Sequence, residues 1–301
     1  MGRTGLTLAV SLGLVSMCVT LAEANERRFT SPEAAATALV DALRSGDQKA
    51  LLAILGPEAG ALTSSGDAVA DRGIRERFVA AYDRAHRLEG GGGKVTLYVG
   101  EDDFPLPIPL VPDRDVWRFD THAGKQEILN RRIGQNELNT IQTCLAYVDA
   151  QLEYYAEDRN ADGLREYAQR FASTPGKRDG LYWETKAGER PSPLGPLVVA
   201  ARGEGYKLRE KPPMPYHGYY YRILTAQGPA AADGAYDYLA HGRMIGGFAL
   251  VAFPAQYGVS GVMTFLVNHE GVVYQKDLGP DTAALARAMK TFDPDTTWKK
   301  V

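Results

Sequence analysis

Apolar positions in the first third of the chain recur at three- and four-residue spacing. Ala36, Leu39, Val40 and Leu43 lie on one helical face. Ser31-Pro32-Glu33 supplies an N-cap, a proline for the first helical position and an acid for the first turn. Gly46 stops this helix, and Asp47 caps a second over residues 48–55 that ends at Gly56-Pro57. A third helix is expected from Asp71, with Ile74, Phe78, Ala81, Tyr82 and Ala85 inward, running to Gly90-Gly91-Gly92-Gly93. The period then falls to two. Val95, Leu97 and Val99 alternate with Lys94, Thr96 and Tyr98, and Val116, Arg118 and Asp120 alternate with Trp117 and Phe119, which predicts two strands. Between them, Pro105, Pro107 and Pro109 punctuate residues 104–111. Proline has no N–H for a ladder, so that piece belongs at an edge or in a loop.

Helical spacing returns at residues 136–155, capped by Gln135 or Asn136. Leu138, Ile141, Leu145, Val148, Leu152 and Tyr155 form its expected buried stripe. An acidic loop follows, then a short helix expected over 164–171 and a stretch rich in proline and glycine over 175–196. Strands are expected over 197–201, 216–224, 245–253, 262–267 and 272–276. The last two are joined by the hairpin loop Asn268-His269-Glu270-Gly271. Residues 280–290 read as a closing helix. Helices followed by an antiparallel sheet, twice over, make the fold class α+β. The expected division is 1–24, 25–134 and 135–301.

The first of these segments is an export signal by pattern. Arg3 precedes an apolar run from Leu6 to Leu21, and Ala22-Glu23-Ala24 offers small residues two positions apart, as a signal peptidase requires. Cleavage is expected after Ala24. Ser11, Gly13, Ser16 and Thr20 interrupt the run, which is short beside the ~20 apolar residues of a membrane span. The expected location is periplasmic or secreted, with no span after cleavage. Met17 stands before Cys18, where lipid attachment wants a small residue. Cys144 is then the remaining cysteine, placed on the long helix as a buried thiol with no disulfide partner. Composition is ordinary for a globular protein, and a net charge of −3 gives no electrostatic reason to expect nucleic acid. An envelope protein or a small ligand is the expected partner.

Three clusters offer chemistry. Asp158, Asn160, Asp162 and Gly163, with Glu166 beyond, match the first half of a calcium loop. Gln169 stands where a bidentate Glu closes the full pattern, so the loop is either a calcium site of another geometry or a turn bonded to its own backbone. Tyr216-His217-Gly218-Tyr219-Tyr220-Tyr221-Arg222 is the second cluster. On a regular strand, Tyr216, Tyr220 and Arg222 share one face and His217 the other. The set serves either to bind a sugar, peptide or aromatic group, or to pack a sheet. Asp102-Asp103 is the third, a carboxylate pair for acid–base work or an exposed acidic turn. Arg131-Arg132 suits a carboxylate, a phosphate or a salt bridge between the two units. Nucleophile elbows, zinc-binding His-Glu motifs and phosphate loops are missing from the sequence, and its five histidines are scattered. The leading expectation is a non-catalytic binding or scaffolding protein. The rival is a hydrolase at the seam between the units using Asp102, Asp103, His217 and Tyr220.

Several phrases together resemble the bacterial secreted family known as domain of unknown function 2950. They include Phe104-Pro105-Leu106-Pro107-Ile108-Pro109-Leu110-Val111, Tyr147-Val148-Asp149-Ala150-Gln151, Asp179-Gly180-Leu181-Tyr182-Trp183, Tyr216-His217-Gly218-Tyr219-Tyr220 and Tyr274-Gln275-Lys276-Asp277-Leu278-Gly279. That resemblance implies no activity. Leu43-Arg44-Ser45-Gly46-Asp47 before a second short helix resembles the nuclear-transport-factor-like cone. The passage from Ala146 through the acidic loop resembles type IV pilin and pseudopilin heads, some of which hold calcium. This implies a helix followed by an antiparallel sheet, and no polymerisation.

Overall fold

A computed structural model describes residues 26–207 and 213–301. The expected signal peptide and Cys18 lie outside them. The fold is α+β, with two five-stranded antiparallel sheets joined through one long helix. The chain begins with α1 (Pro32–Ser45), α2 (Gln48–Leu55), α3 (Gly60–Thr63) and α4 (Ala68–Arg84). The first sheet follows, made of β1 (His86–Gly91), β2 (Lys94–Val99), β3 (Phe104–Pro105), β4 (Leu110–Asp113) and β5 (Val116–Phe119). Its order is β1-β2-β4-β5, with β3 also on β2. Phe29 extends the β5 edge by exchanging backbone bonds with Trp117. One core lies between this sheet and the helices, built on Leu39, Leu51, Ile54, Leu110 and Phe119.

The caps of α1 and α2 follow the sequence. The Ser31 hydroxyl accepts from Ala34 N–H, Gly46 closes α1 at φ 67°, and the Asp47 carboxylate accepts from Lys49 and Ala50. The third helix starts earlier than Asp71 because Asp67 caps it, accepting from Val69 and Ala70 N–H. Its end also differs. The glycines close a hairpin, with Gly92 at φ 60° and Gly93 at φ 76°, the two positive values a tight hairpin turn needs. Strand β1 escaped detection because it is exposed except at half-buried Leu88, so it carries no alternation.

The long helix, α5 (Thr121–Tyr155), has 35 residues and starts at an Asp120 cap, well before Asn136. Gly124 and Gly134 hid residues 121–135. A Cβ on Gly124 would lie 2.4 Å from the Pro107 carbonyl oxygen, so the helix passes against the proline-rich strip only through a bare Cα. The expected leucine stripe is also corrected. Leu138, Leu145 and Leu152 are exposed, and the buried face is Asn136, Thr140, Cys144, Tyr147, Val148, Gln151 and Tyr154. The polar members are satisfied. Gln151 accepts from Ala168 N–H and donates to Ala168 O, both at 2.8 Å, and Tyr147 donates to Ala249 O at 3.3 Å. Cys144 is wholly buried, and burial pushes its thiol up to about 12.

Beyond α5, residues 164–171 are extended rather than helical, with Tyr167 N–H on Met244 O. Residues 197–201 are not a strand but part of α6 (Gly195–Glu204), which Pro196 starts and left-handed Gly205 ends; a five-residue apolar run fits either element. Then come β6 (Tyr219–Leu224), the short strands β7 (Ala226–Gln227), β8 (Tyr236–Asp237), β9 (Leu239–Ala240) and β10 (Arg243–Met244), β11 (Ala249–Pro254), β12 (Met263–Asn268), β13 (Tyr274–Asp277), α7 (Thr282–Ala288) and β14 (Lys299–Lys300). The second sheet has the order β14-β13-β12-β11-β6. Helix α5 covers one face and α7 the other, which is why β11 is buried throughout and reads as a continuous apolar run. No helix of the described residues is long and apolar enough to cross a membrane.

The two helical glycines of α5 make opposite predictions. Gly124→Ala drives a methyl into backbone and should destabilise by about 1–3 kcal/mol or more. Gly134 has nothing within 4 Å of its Cβ position, so Gly134→Ala should stabilise by about 0.5–1 kcal/mol. Urea unfolding of the two variants checks both signs.

Candidate functional site

Where α5 passes from the first core to the second, the structure holds a cavity of about 630 Å³. That is the size of pockets that take small organic ligands. Its apolar wall comes from the first core: Leu39, Leu51, Leu62, Phe78, Ile108 and Ile128. The exposed apolar residues Ile74 and Phe104 belong to its lining as well, and the Arg131 guanidinium lies 4.8 Å over the Phe104 ring.

One end of the cavity is polar, and both cores build it. Helix α4 contributes Asp71, and α5 contributes Arg132 and Asn136. The end of α6 and the following chain contribute Glu204, Tyr206 and His217. Asp67 ties these parts together from behind. Its Oδ1 caps α4, while its Oδ2 accepts from the Tyr206 hydroxyl and from Gly218 N–H, each at 2.9 Å. Asp67 is wholly buried, so this one carboxylate fixes the start of α4 against the turn that carries His217. Asp71 accepts from Ser65 N–H at 2.9 Å. Asn136 donates to Ser260 O at 2.8 Å. Arg132 reaches across to the carbonyls of Ala61 and Leu62, at 2.6 and 2.5 Å.

Electrostatics at this end follow from burial. Desolvation lowers the His217 imidazole below its ordinary value, against the opposing pull of Glu204 and Asp67. The His217 Nε2 stands 3.7 Å from a Glu204 oxygen. Burial raises the Tyr206 phenol, reinforced by Asp67, and pushes Tyr216 up to about 12. Burial also lowers the Arg132 guanidinium, with Asp71 working the other way.

The sequence candidates separate in space. His217 lines the cavity, and Tyr216 packs on it and on Tyr206 with ring centroids 4.1 and 5.0 Å apart. The expected strand alternation fails there because His217 (φ 50°) and Gly218 (φ 77°) form a turn. From Tyr219 the alternation holds. Tyr220 and Arg222 face α7, with Arg222 donating to Ala286 O at 2.7 Å and also to Met289 O, and Arg287 lying over Tyr220. Asp102 and Asp103 sit on an exposed turn beside the first sheet, where Asp103 pairs with Arg87 at 2.9 Å. So Asp102, Asp103, His217 and Tyr220 do not converge on one pocket. Arg131 pairs with Glu127 on its own helix, and Arg132 binds carbonyls rather than an acid.

The acidic loop closes on itself. Asp158 accepts from Asn160 and Gly163 N–H, Asn160 from Asp162 N–H, and Asp162 from Leu164 N–H. Arg243 pairs with Asp162 and Glu166. The Gly163 bond holds Asp158 below the usual carboxylate range, and Arg243 does the same for Asp162. Among the described residues no group of three or more His, Cys, Asp or Glu side chains is arranged to hold a metal ion.

A family model described as protein of unknown function (DUF2950) matches residues 26–301. The chain belongs to the DUF2950 family. Neither a curated protein nor a solved structure matches it. In this DUF2950 protein the site residues that sequence reasoning missed are Asp67, Asp71, Asn136, Glu204 and Tyr206, whereas Arg132 was offered for a carboxylate, a phosphate or a salt bridge and binds two backbone carbonyls instead. Asp67 did carry a signal, since an Asp two residues before Val69 at the head of a helix is an N-cap candidate. The others are brought together by long-range contacts that no local pattern encodes.

Two predictions test this polar end. Asp67→Ala removes a cap and orphans Tyr206 and Gly218, and should cost about 2–5 kcal/mol in urea unfolding; Tyr206→Phe should cost about 1 kcal/mol. The folded protein resists protonating His217, whereas the unfolded chain takes a proton as pH falls through the ordinary value of 6.5. Stability is therefore lost as pH drops through that value. His217→Gln should lose less over the same interval, read as the difference between two curves of stability against pH.

Proposed function

We propose that the protein is an exported, non-catalytic binding protein of the bacterial envelope, holding a small amphipathic molecule in the cavity beside α5. The observation that carries this reading is the cavity's division into an apolar wall from Leu39, Leu51, Phe78 and Ile108 and a polar end from Arg132, Asn136, Tyr206 and His217. Such a division suits a ligand with an apolar body and a polar head, since each part is desolvated only against its like. Among the described residues, the lining offers Thr63 as its one hydroxyl on an aliphatic side chain, and it donates to Ala59 or Gly60 carbonyls while accepting from Gln48. Export rests on the charged start, the apolar run and the Ala22-Glu23-Ala24 site.

Isothermal titration with single-chain amphiphiles should give saturable binding at one site. Ile74→Trp, at an exposed lining position, should weaken it by about tenfold or more, roughly 1.4 kcal/mol. Unchanged affinity in that variant would place the ligand elsewhere. Protein recovered from the envelope of its host should begin at Asn25, and a retained N-terminus would overturn the export reading.

A further inference from the structure

The first sheet has one edge that nothing among the described residues closes. Its β5 side is continued by Phe29, while β1 at the other end pairs with β2 alone. The ladder decides which backbone groups of β1 point outward. Gly100 N–H donates to Ala85 O at 2.8 Å, in the register that sets His86 against Val99. On the far side of β2, Leu106 N–H donates to Leu97 O at 2.8 Å. Bonded and unbonded pairs alternate along an antiparallel ladder. Arg87 and Glu89 therefore bond to β2, and the N–H and C=O groups of His86, Leu88 and Gly90 face the open edge. Two common ways of blunting an edge are missing, since β1 is six residues long and holds no proline. Its side chains alternate as well. Leu88 packs toward the helices, as does the His86 ring, stacked on Tyr82 at 3.8 Å. Arg87 and Glu89 pair with each other on the outer face, where Arg87 also lies over Tyr98 and binds Asp103.

We propose that β1 is a dimerisation edge, pairing antiparallel with β1 of a second copy of this chain about a two-fold axis at Leu88. Leu88 then exchanges both backbone bonds with the partner's Leu88, and His86 does so with the partner's Gly90. Arg87 faces the partner's Glu89 in the unbonded pairs, where side chains come closest, and symmetry repeats that pair on the other side of the axis. The bulky stack of His86 on Tyr82 meets a residue without a side chain. Charge selects this register. Slipping the copies by two residues sets Arg87 against the partner's Arg87, or Glu89 against the partner's Glu89, and like charges directly opposed are unfavourable. A foreign strand would have to carry the same charges in reverse order, whereas a second copy supplies them by symmetry. The two five-stranded sheets become one continuous sheet across the dimer.

Sedimentation equilibrium of the purified protein should show a monomer–dimer equilibrium. Arg87→Glu and Glu89→Arg alter exposed side chains, and each sets like charges opposite one another in both pairs. Each variant alone should dimerise at least about tenfold more weakly. Mixed in equal amounts, the two variants again oppose unlike charges and should associate as the wild type does. Gly90→Pro removes an N–H from the open edge and none from the β2 ladder, so it should give a monomer with an unchanged circular dichroism spectrum. A wild-type protein that stays monomeric at its highest soluble concentration overturns the proposal. So does a dimer that withstands both charge reversals, which would place the interface elsewhere. Charge variants that stay apart when mixed overturn the antiparallel register. Should Gly90→Pro fail to fold, the two reversals and their mixture decide.

Discussion

Helix α5 is the constraint on which the other elements depend. At 35 residues it spans about 52 Å, longer than either core is thick, and both sheets are organised along it. Its first turn is tied to the first core by Thr121, whose hydroxyl donates to Leu55 O at 2.6 Å. Its last turns carry the second sheet through Tyr147, Gln151 and Tyr154. The middle, from Arg132 to Thr140, belongs to both. There the helix presents polar groups rather than leucines, because it has to meet backbone polar groups from each side: the Ala61 and Leu62 carbonyls of α3 on one, Ser260 O and the Val262 and Met263 N–H groups on the other. A cavity with a polar end is what remains where two cores share a helix without sharing apolar filling.

This polar middle also explains where the sequence was legible. Capped, regularly spaced elements were readable: α1, α2, β2, the last hairpin and α7 all carry their signals in adjacent residues. The α+β class followed from their order. The long helix was readable in its second half and misread in orientation. Apolar spacing picks out Leu138, Leu145 and Leu152, yet the core takes Asn136, Thr140, Cys144 and Gln151, because Asn136, Thr140 and Gln151 find partners in Ser260 O, the Tyr221 hydroxyl and the Ala168 backbone, while Cys144 packs as an apolar side chain. Burial of satisfied polar side chains leaves no mark in a hydrophobic pattern. Strand β1 failed for the converse reason, being a paired strand with almost nothing buried.

The candidate site was the least legible part. His217 was singled out for its aromatic neighbours on an assumed straight strand, and it reaches the cavity because the strand is broken by a turn. A Cβ at Gly218 would lie 2.5 Å from the Asn136 side chain, so that turn exists only where glycine lets α5 approach. Asp67, Tyr206 and Gly218 are separated by up to 151 positions in the chain and meet through one carboxylate. Such a junction is a property of the assembled cores, and its members look ordinary one at a time.

The seam matters for geometry more than for energy. Each hydrogen bond across it contributes about 1 kcal/mol net, because separated groups would bond to water instead. What holds the two cores in place is the continuity of α5. Moving one against the other requires bending a helix whose middle carries no proline, and sharp bends have such identifiable causes. The cavity therefore keeps its shape without a ligand. A preformed site of this kind spends little binding energy on ordering its own walls, and selectivity is left to the few groups not already partnered. Arg132 stands half-buried at the cavity's polar end, its orientation fixed by the Ala61 and Leu62 carbonyls.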